Sequence, residues 1–180
     1  PFRDLAEQYH AQLPAHLRRY LNDRAIPDRI IDHHLLGFDG TRITIPIPDQ
    51  VGRIAFFRLS RVPDGWGAKV ISRPGSPATL YGWEHVRPET ETLVLCEGEL
   101  DRLVLEGQGI AAVTGTGGAT TFLPAWADAL AVVPRLLVCY DRDATGRAGT
   151  RRVAQLLPTV NVIDLPDEVG LGGDVTDFFA

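Results

Sequence analysis

The chain has 180 residues, of which 44% are hydrophobic and 23% are charged, values typical of a globular protein with one domain or two small subdomains. No apolar run approaches the ~20 residues needed to cross a bilayer, which excludes a membrane-spanning protein, and we expect a cytoplasmic location. The net charge of −5 is unevenly spread: residues 1–87 carry a net +3 and residues 88–180 a net −8, which predicts an acidic metal centre and a basic binding surface, or simply an uneven solvated surface.

The first half of the chain predicts a mixed α+β subdomain. Ile43, Ile45 and Ile47 alternate with other residues, which is the period of a half-buried strand, and a turn then leads into a second strand to form a β-hairpin. The predicted elements are a helix over 2–22 that breaks at Pro14, a short helix over 27–35, strands over 42–47 and 53–60, and a strand-like segment over 68–72.

The second half predicts a parallel α/β sheet. Continuous apolar runs alternate with amphipathic segments through short loops, as in strand–helix–strand units with right-handed crossovers. The predicted elements are strands over 92–98, 110–118, 135–141 and 161–165, and helices over 99–109, 121–132 and 146–157. We therefore expect two subdomains, residues 1–88 and 89–180.

Acidic side chains follow the predicted strands. Glu97 ends the first strand of the second half, and Asp141 and Asp143 end the third. Because ligands bind beyond the carboxyl ends of parallel strands, these carboxylates are predicted to converge and to hold a hard cation such as Mg²⁺. The alternative interpretation is helix capping, because acids favour helix N-termini.

Three further acids are second candidates for the same site. Asp101 lies one helical turn after Glu97, and Asp174 and Asp177 follow the last predicted strand. The two cysteines and five histidines form no zinc-ligand pattern, so no zinc is expected in this chain and both thiols are expected to be buried and reduced.

The acidic motifs resemble a TOPRIM domain. "LVLCEGELDRLVLEGQGIAAVTGTGG" and "LLVCYDRDATGRAGTRRVAQLL" contain a Glu after the first strand and an Asp-x-Asp after a later one, as that family does. The resemblance implies a Rossmann-like, mainly parallel fold with a metal site at Glu97, Asp141 and Asp143. The family's last motif often reads Asp-Pro-Asp or Asp-x-Asn-Asp, whereas this chain has Asp174-Val175-Thr176-Asp177, which leaves open which of these acids binds metal.

The first half is similar to the amino-terminal subdomain of the DnaG-type primase core. The similarity lies in its helix pair, its hairpin and the segment "AKVISRPGSPATLYGWEHV". It implies that basic residues of this half contact template phosphates or the nucleoside triphosphate, with solvated surface residues as the alternative. These residues are Arg58, Arg61, Lys69 and Arg73. The tryptophans Trp66, Trp83 and Trp126 either stack on bases or, as we favour, pack in the core.

Together the resemblances imply a DNA primase catalytic core of the DnaG, phage or plasmid primase–helicase type. Such an enzyme synthesises short RNA primers on single-stranded DNA from nucleoside triphosphates, with Mg²⁺ or Mn²⁺ held by carboxylates. Its expected partners are a zinc-binding domain and a replicative helicase, in cis or in trans. Glu97 is alternatively a general base.

Three other classes of protein remain open. A TOPRIM nuclease would use the same acids to hydrolyse, and a non-catalytic module would only bind nucleic acid. A topoisomerase needs a tyrosine nucleophile, whereas Tyr140 has the pattern of a strand residue.

Overall fold

The computed structural model describes residues 2–180, which form two units, one ending at Pro77 and the other comprising Ala78–Ala180. The first unit contains helices α1 (Phe2–Ala11), α2 (Ala15–Asp23) and α3 (Asp28–His33), and strands β1 (Gly37–Phe38), β2 (Ile43–Pro48), β3 (Ile54–Ser60) and β4 (Val70–Ser72). Its four strands form one antiparallel sheet in the order β1-β2-β3-β4. The helix break at Pro14 and the β2–β3 hairpin are as the sequence predicted.

Helix α1 packs closely on the sheet of the first unit. A Cβ added to Gly37 would lie 2.4 Å from the carbonyl carbon of Tyr9, so only glycine allows this approach. The rings of Tyr9 and Phe57 meet edge to face with centroids 5.6 Å apart, and Ala6 is fully buried between them and the strands. These contacts fix one face of the hairpin against a helix.

The second unit has the parallel α/β architecture that the sequence predicted. Its strands are β5 (Leu80–Tyr81), β6 (Thr92–Cys96), β7 (Ala112–Gly115), β8 (Arg135–Cys139) and β9 (Asn161–Val162). Its helices are α4 (Glu99–Gly107), α5 (Pro124–Leu130), α6 (Ala144–Leu156) and α7 (Val175–Phe179). The sheet order is β5-β7-β6-β8-β9, and only the β5–β7 pair is antiparallel.

The division into units differs from the boundary expected at residue 88. Strand β5 pairs with β7, Leu80 opposite Gly115 and Tyr81 opposite Thr114, so the segment before residue 89 belongs to the second sheet. A strand of two residues shows no alternation along the chain, which is why the sequence pattern missed it. Strand β1 and helix α7 were missed for the same reason, because both are short.

The interior of the second unit is mostly apolar, with a few buried charged residues such as Arg102, and includes both cysteines. Cys96 and Cys139 are buried and form no disulfide, as expected. Across residues 2–180, no helix combines the length and apolar character that a membrane crossing requires.

Candidate metal centre

The two strand ends that carry the predicted acids are neighbours in the sheet. Strands β6 and β8 run parallel with Cys96 opposite Cys139, so Glu97 and Asp141 leave the sheet at the same edge. The backbone N–H of Asp141 donates a hydrogen bond to Oε2 of Glu97 at 3.2 Å. The convergence predicted for these two residues is therefore present in the fold.

Asp143 begins helix α6 and caps it. Its Oδ1 accepts a hydrogen bond from the backbone N–H of Gly146 at 2.7 Å, and its own N–H donates to the carbonyl of Asp141 at 2.8 Å. A Cβ added to Gly146 would lie 2.1 Å from that same carbonyl oxygen. A side chain at position 146 would clash with the Asp141 carbonyl, so the tight Asp-x-Asp turn requires a glycine there.

Asp174 and Asp177 form a reciprocal cap on helix α7. The N–H of Asp177 donates to Oδ1 of Asp174 at 2.9 Å, and the N–H of Asp174 donates to Oδ2 of Asp177 at 3.0 Å. The preceding loop is fastened to the Asp-x-Asp turn, since Arg142 exchanges backbone hydrogen bonds with Gly172 and Gly173, each at 3.1 Å. This pairing brings the last acidic motif beside Asp141 and Asp143.

Asp101 occupies a different environment from the other acids. It is buried in helix α4, and its Oδ1 accepts a hydrogen bond from the hydroxyl of Thr176 at 2.8 Å. A Cβ added to Gly98 would lie 2.8 Å from its Oδ2. Asp101 thus connects helix α4 to helix α7 beneath the acidic edge.

These contacts confirm the capping interpretation for three of the acids, while the metal interpretation stays a prediction. Asp143, Asp174 and Asp177 all make cap hydrogen bonds, yet an ionised carboxylate offers about four acceptor positions, so a cap does not exhaust it. Within residues 2–180, no three of the six predicted carboxylates have oxygens that all lie within 4.8 Å of one another. The cluster is open, and its all-carboxylate donor set suits Mg²⁺ or Mn²⁺.

Buried thiols respond to the negative charge at this edge. Burial raises the pKa of the Cys139 thiol to about 11, and the carboxylates of Asp101, Asp141 and Asp164 add to the shift. Burial also raises the pKa of Cys96 well above its ordinary value, with Asp101 the next largest contribution. Both thiols therefore stay protonated at neutral pH and do not compete with the carboxylates for a metal ion.

A cavity beside the acidic edge contains arginines that the sequence analysis did not single out. It has a volume of about 510 Å³ and is lined by Asp141, the start of helix α6 and the segment after β9. Arg147 and Arg151 reach it from one side of α6 and form no ion pair within the described part of the chain, whereas Arg142 is bound to Asp167 and to the carbonyl of Pro166. The i,i+4 spacing of Arg147 and Arg151 after Asp143 was a signal that could have identified them.

A second cluster of ligand-type residues surrounds Arg102. Glu84, His85 and Glu106 each offer an atom within 4.8 Å of the others. The fully buried guanidinium of Arg102 already pairs with Glu84 and, at 3.0 Å, with Glu106, and it lies over the ring of Tyr81. Burial lowers the pKa of His85 and keeps it neutral. The cation of this cluster is therefore the arginine, and the cluster is structural.

The four basic residues predicted to bind nucleic acid all lie at strands β3 and β4 or the segments beside them in the first unit. Arg58 lies opposite Ser72 and donates to its hydroxyl at 2.6 Å, while Arg61 lies opposite Lys69 one pair beyond the ladder, its N–H donating to the Lys69 carbonyl at 2.8 Å. Arg61 and Lys69 lie just outside the two strands and are exposed, whereas Arg58 lies within β3 and is partly buried. Arg73 is exposed just after β4.

The three tryptophans have different environments. Trp126 is buried in the core of the second unit and Trp83 packs against that core, as we favoured. Trp66 is 91% exposed, so the core interpretation is wrong for this residue. Its position in a loop flanked by Gly65 and Gly67 explains the error, because its exposure depends on loop contacts that no sequence pattern reveals.

Comparisons with known proteins agree with this geometry. Residues 94–178 match the Toprim-like domain family. The DNA primase of Pseudomonas aeruginosa is 31% identical over 128 residues, which cover 66% of this chain and 19% of that primase. The Gene 57 protein of Mycobacterium phage D29 is 27% identical over 123 residues, which cover 68% of this chain and 80% of that protein.

The fold has a counterpart among solved structures. The crystal structure of the Aquifex aeolicus primase, with its zinc-binding and RNA polymerase domains, matches 98% of this chain with a TM-score of 0.80 and 23% sequence identity. The chain covers 55% of that structure and about a fifth of the Pseudomonas aeruginosa primase. Residues 94–178 are therefore similar to the Toprim-like domain family, and the chain as a whole has the fold of the TOPRIM-containing DNA primase catalytic core.

Proposed function

We propose that this chain is the catalytic core of a DNA primase, a nucleotidyltransferase that joins ribonucleotides into short primers on single-stranded DNA. The observation that carries the proposal is the meeting of Glu97 and Asp141 at the carboxyl edge of β6 and β8 in a Toprim-like domain. The primase-core fold and the primase relatives support the same activity.

In this proposal, the acidic edge holds divalent metal. Glu97, Asp141 and Asp143 would be the ligands, since all three follow neighbouring strands at one edge, and the carboxylates of Glu97 and Asp143 each accept a backbone hydrogen bond. Asp174 and Asp177 would assist from the adjoining loop, and Asp101 would act from its buried position below. Mg²⁺ and Mn²⁺ both suit such oxygen donors.

The reaction forms one P–O bond and breaks another. The 3′-hydroxyl of the growing primer attacks the α-phosphate of the incoming triphosphate, loses its proton, and displaces pyrophosphate. Divalent metal bound at such a site would lower the pKa of the primer 3′-hydroxyl and neutralise negative charge on the phosphate. The part of this chain is to fix the carboxylates through strand pairing; Glu97 is alternatively the base that accepts the proton.

Arg147 and Arg151 are proposed to bind the triphosphate. They reach the cavity beside Asp141 and have no carboxylate partner within residues 2–180. A guanidinium binds phosphate oxygens through paired N–H donors, and its charge offsets that of the leaving pyrophosphate. The cavity of about 510 Å³ lies within the size range of small-molecule sites.

The first unit is proposed to bind the template. Positive side chains on and after its sheet suit the phosphates of single-stranded DNA. Arg61, Lys69 and Arg73 are exposed, and Arg58 is partly buried beside Ser72. A zinc-binding domain and a replicative helicase are the proposed partners, since tethering a second template-binding domain raises the local concentration of template.

A single assay tests the proposal. The chain is incubated with single-stranded DNA, labelled nucleoside triphosphates and either Mg²⁺ or Mn²⁺. Short labelled oligomers that disappear in the Asp141→Asn variant are the expected result. Shortened input DNA would instead identify a nuclease. If neither labelled oligomers nor shortened DNA appear, the chain is a binding module.

A further inference from the structure

The loop between β3 and β4 presents an indole to solvent. Trp66 is 91% exposed, which is unusual for the residue type with the largest apolar surface. An exposed indole contributes none of the hydrophobic stabilisation that a buried one gives the fold. Its exposure therefore indicates a binding partner outside the chain.

The loop is held in place rather than loose. Nη1 of Arg61 donates to the carbonyl of Gly67 at 2.9 Å, and Nη1 of Arg42 donates to the carbonyl of Ala68 at 3.0 Å. A Cβ added to Gly65 would lie 2.8 Å from Cγ of Arg61, so the arginine stem passes directly under the loop. Two arginines thus hold the backbone directly after Trp66, which lowers the cost of ordering the loop when a ligand binds.

The surroundings of Trp66 are positively charged. A cavity of about 300 Å³ is lined by Thr41, Arg42, Arg61, Gly65, Trp66 and Gly67. Within residues 2–180, the guanidinium groups of Arg42 and Arg61 hydrogen-bond only to backbone carbonyls and form no ion pair. Their charge is therefore available to an anion, although two acids lie nearby: Asp64 in the same loop, and Asp39, whose Oδ1 accepts a hydrogen bond from the backbone N–H of Arg42 at 2.8 Å.

We propose that Trp66, Arg42 and Arg61 form a binding site for single-stranded nucleic acid, in which an unpaired base stacks on the indole and neighbouring phosphates lie near the two arginines. A stacking face and positive charge at its edge are the two features that single strands require. A duplex hides its base faces and cannot use the indole in this way. The site deepens the template binding proposed above and rests on it for its biological role, but it does not depend on catalysis.

Fluorescence of the intact chain gives the first test. Trp126 is buried and Trp83 packs against the core, so quenching by an added oligonucleotide reports mainly on Trp66. We expect quenching with oligo(dT) of 12 nucleotides and with oligo(rU) of the same length, and none with a blunt hairpin duplex. Tighter binding of oligo(dT) would identify the DNA template as the natural occupant, and tighter binding of oligo(rU) would identify the RNA primer. Loss of the quench in Trp66→Phe, whose ring is weakly fluorescent, assigns the signal.

Affinity and salt dependence give the second test, with fluorescently labelled oligo(dT) and anisotropy. Trp66→Ala should weaken binding by about 5- to 100-fold, the range of one stacked base, with an unchanged salt slope because no charge is removed. Arg61→Ala should instead lower the magnitude of the salt slope by about 0.7, the value of one phosphate contact on a single strand. Val51→Ala, an exposed hydrophobic residue in the β2–β3 turn, is the matched control and should bind as the wild type does.

The outcomes separate this site from the proposed activity. Wild-type affinity in Trp66→Ala, equal weakening for hairpin duplex, or no measurable binding by the wild-type chain would each overturn the site. A chain that makes no primers but shows the Trp66-dependent quench keeps the site and loses the proposed function. Trp66→Ala should melt at the wild-type temperature, since the side chain contributes little to the fold.

Discussion

Asp141 donates its backbone N–H to Oε2 of Glu97 at 3.2 Å, although 44 residues separate them in the chain. The contact arises from the register of two parallel strands, in which Cys96 lies opposite Cys139. Strand pairing, rather than a flexible loop, therefore sets the position of the Glu97 carboxylate relative to the backbone of Asp141. Residues positioned in this way keep their geometry when a neighbouring charge is removed, which makes the site suitable for mutational tests.

Removing one charge from the acidic edge should abolish activity without unfolding the protein. Asp141→Asn and Asp143→Asn should each lower primer synthesis by more than about 100-fold, because even residues that only support metal ligands contribute about 10- to 100-fold. In EDTA, the thermal midpoint should hold or rise, because repulsion between like charges is relieved. Asp128→Asn, an exposed position on α5, serves as the charge-matched control. Full activity in either variant would remove the metal assignment.

The cap of helix α6 allows the two roles of Asp143 to be separated. Asp143→Ala loses the hydrogen bond from Gly146 and should cost about 1 kcal/mol in the free energy of unfolding. Asp143→Asn keeps an acceptor oxygen and should be close to the wild type in stability, yet inactive. Urea melts in EDTA measure the difference; equal stability of the two variants would show that the cap contributes nothing.

Lys69 should contribute to template binding through its charge. Lys69→Ala is expected to lower the magnitude of the salt slope of single-stranded DNA binding by about 0.7, as for one lost phosphate contact. The matched control is Arg53→Ala, which removes an exposed charge paired with Asp49 at the hairpin turn. If both variants, or neither, change the slope, Lys69 is an ordinary surface residue.

Arg147 and Arg151 should act on the nucleotide rather than on the template. Each change to Ala is expected to weaken binding of Mg²⁺–ATP by about tenfold, the lower end for a hydrogen bond to a charged group. Titration calorimetry measures the affinity, and Arg135→Ala on β8 removes an exposed charge of the same unit. Unchanged ATP affinity in the double variant would exclude the cavity as the triphosphate site.

The buried charge of Arg102 should be sensitive to its partners. Glu84→Gln or Glu106→Gln alone leaves one of the two paired carboxylates in place, whereas the double change removes both from a fully buried guanidinium. The double variant should lose about 3 kcal/mol or more of unfolding free energy, exceeding the sum of the single effects. Additive effects in a double-mutant cycle would show that the two carboxylates act independently.

Much of the fold and of the acidic edge was predictable because it depends on local patterns. The apolar runs at β6 and β8 and the acids that follow them identified both the sheet and the edge where Glu97 and Asp141 meet. Strand β5 was not predictable, since two residues are a strand only through pairing with β7. The exposure of Trp66 was not predictable either, because hydrogen bonds from two arginines to the backbone after it hold its loop.

The Toprim-like match and the second folded unit begin at different residues. The Toprim-like match begins at residue 94, inside β6, whereas the sheet needs Leu80 and Tyr81 at its edge. A fragment that started at residue 94 would expose the backbone donors and acceptors of β7, and unpaired strand edges promote aggregation. It would also remove the ring of Tyr81 from Arg102. The second unit therefore starts at Ala78, and a fragment cut at the start of the family match would carry an incomplete sheet.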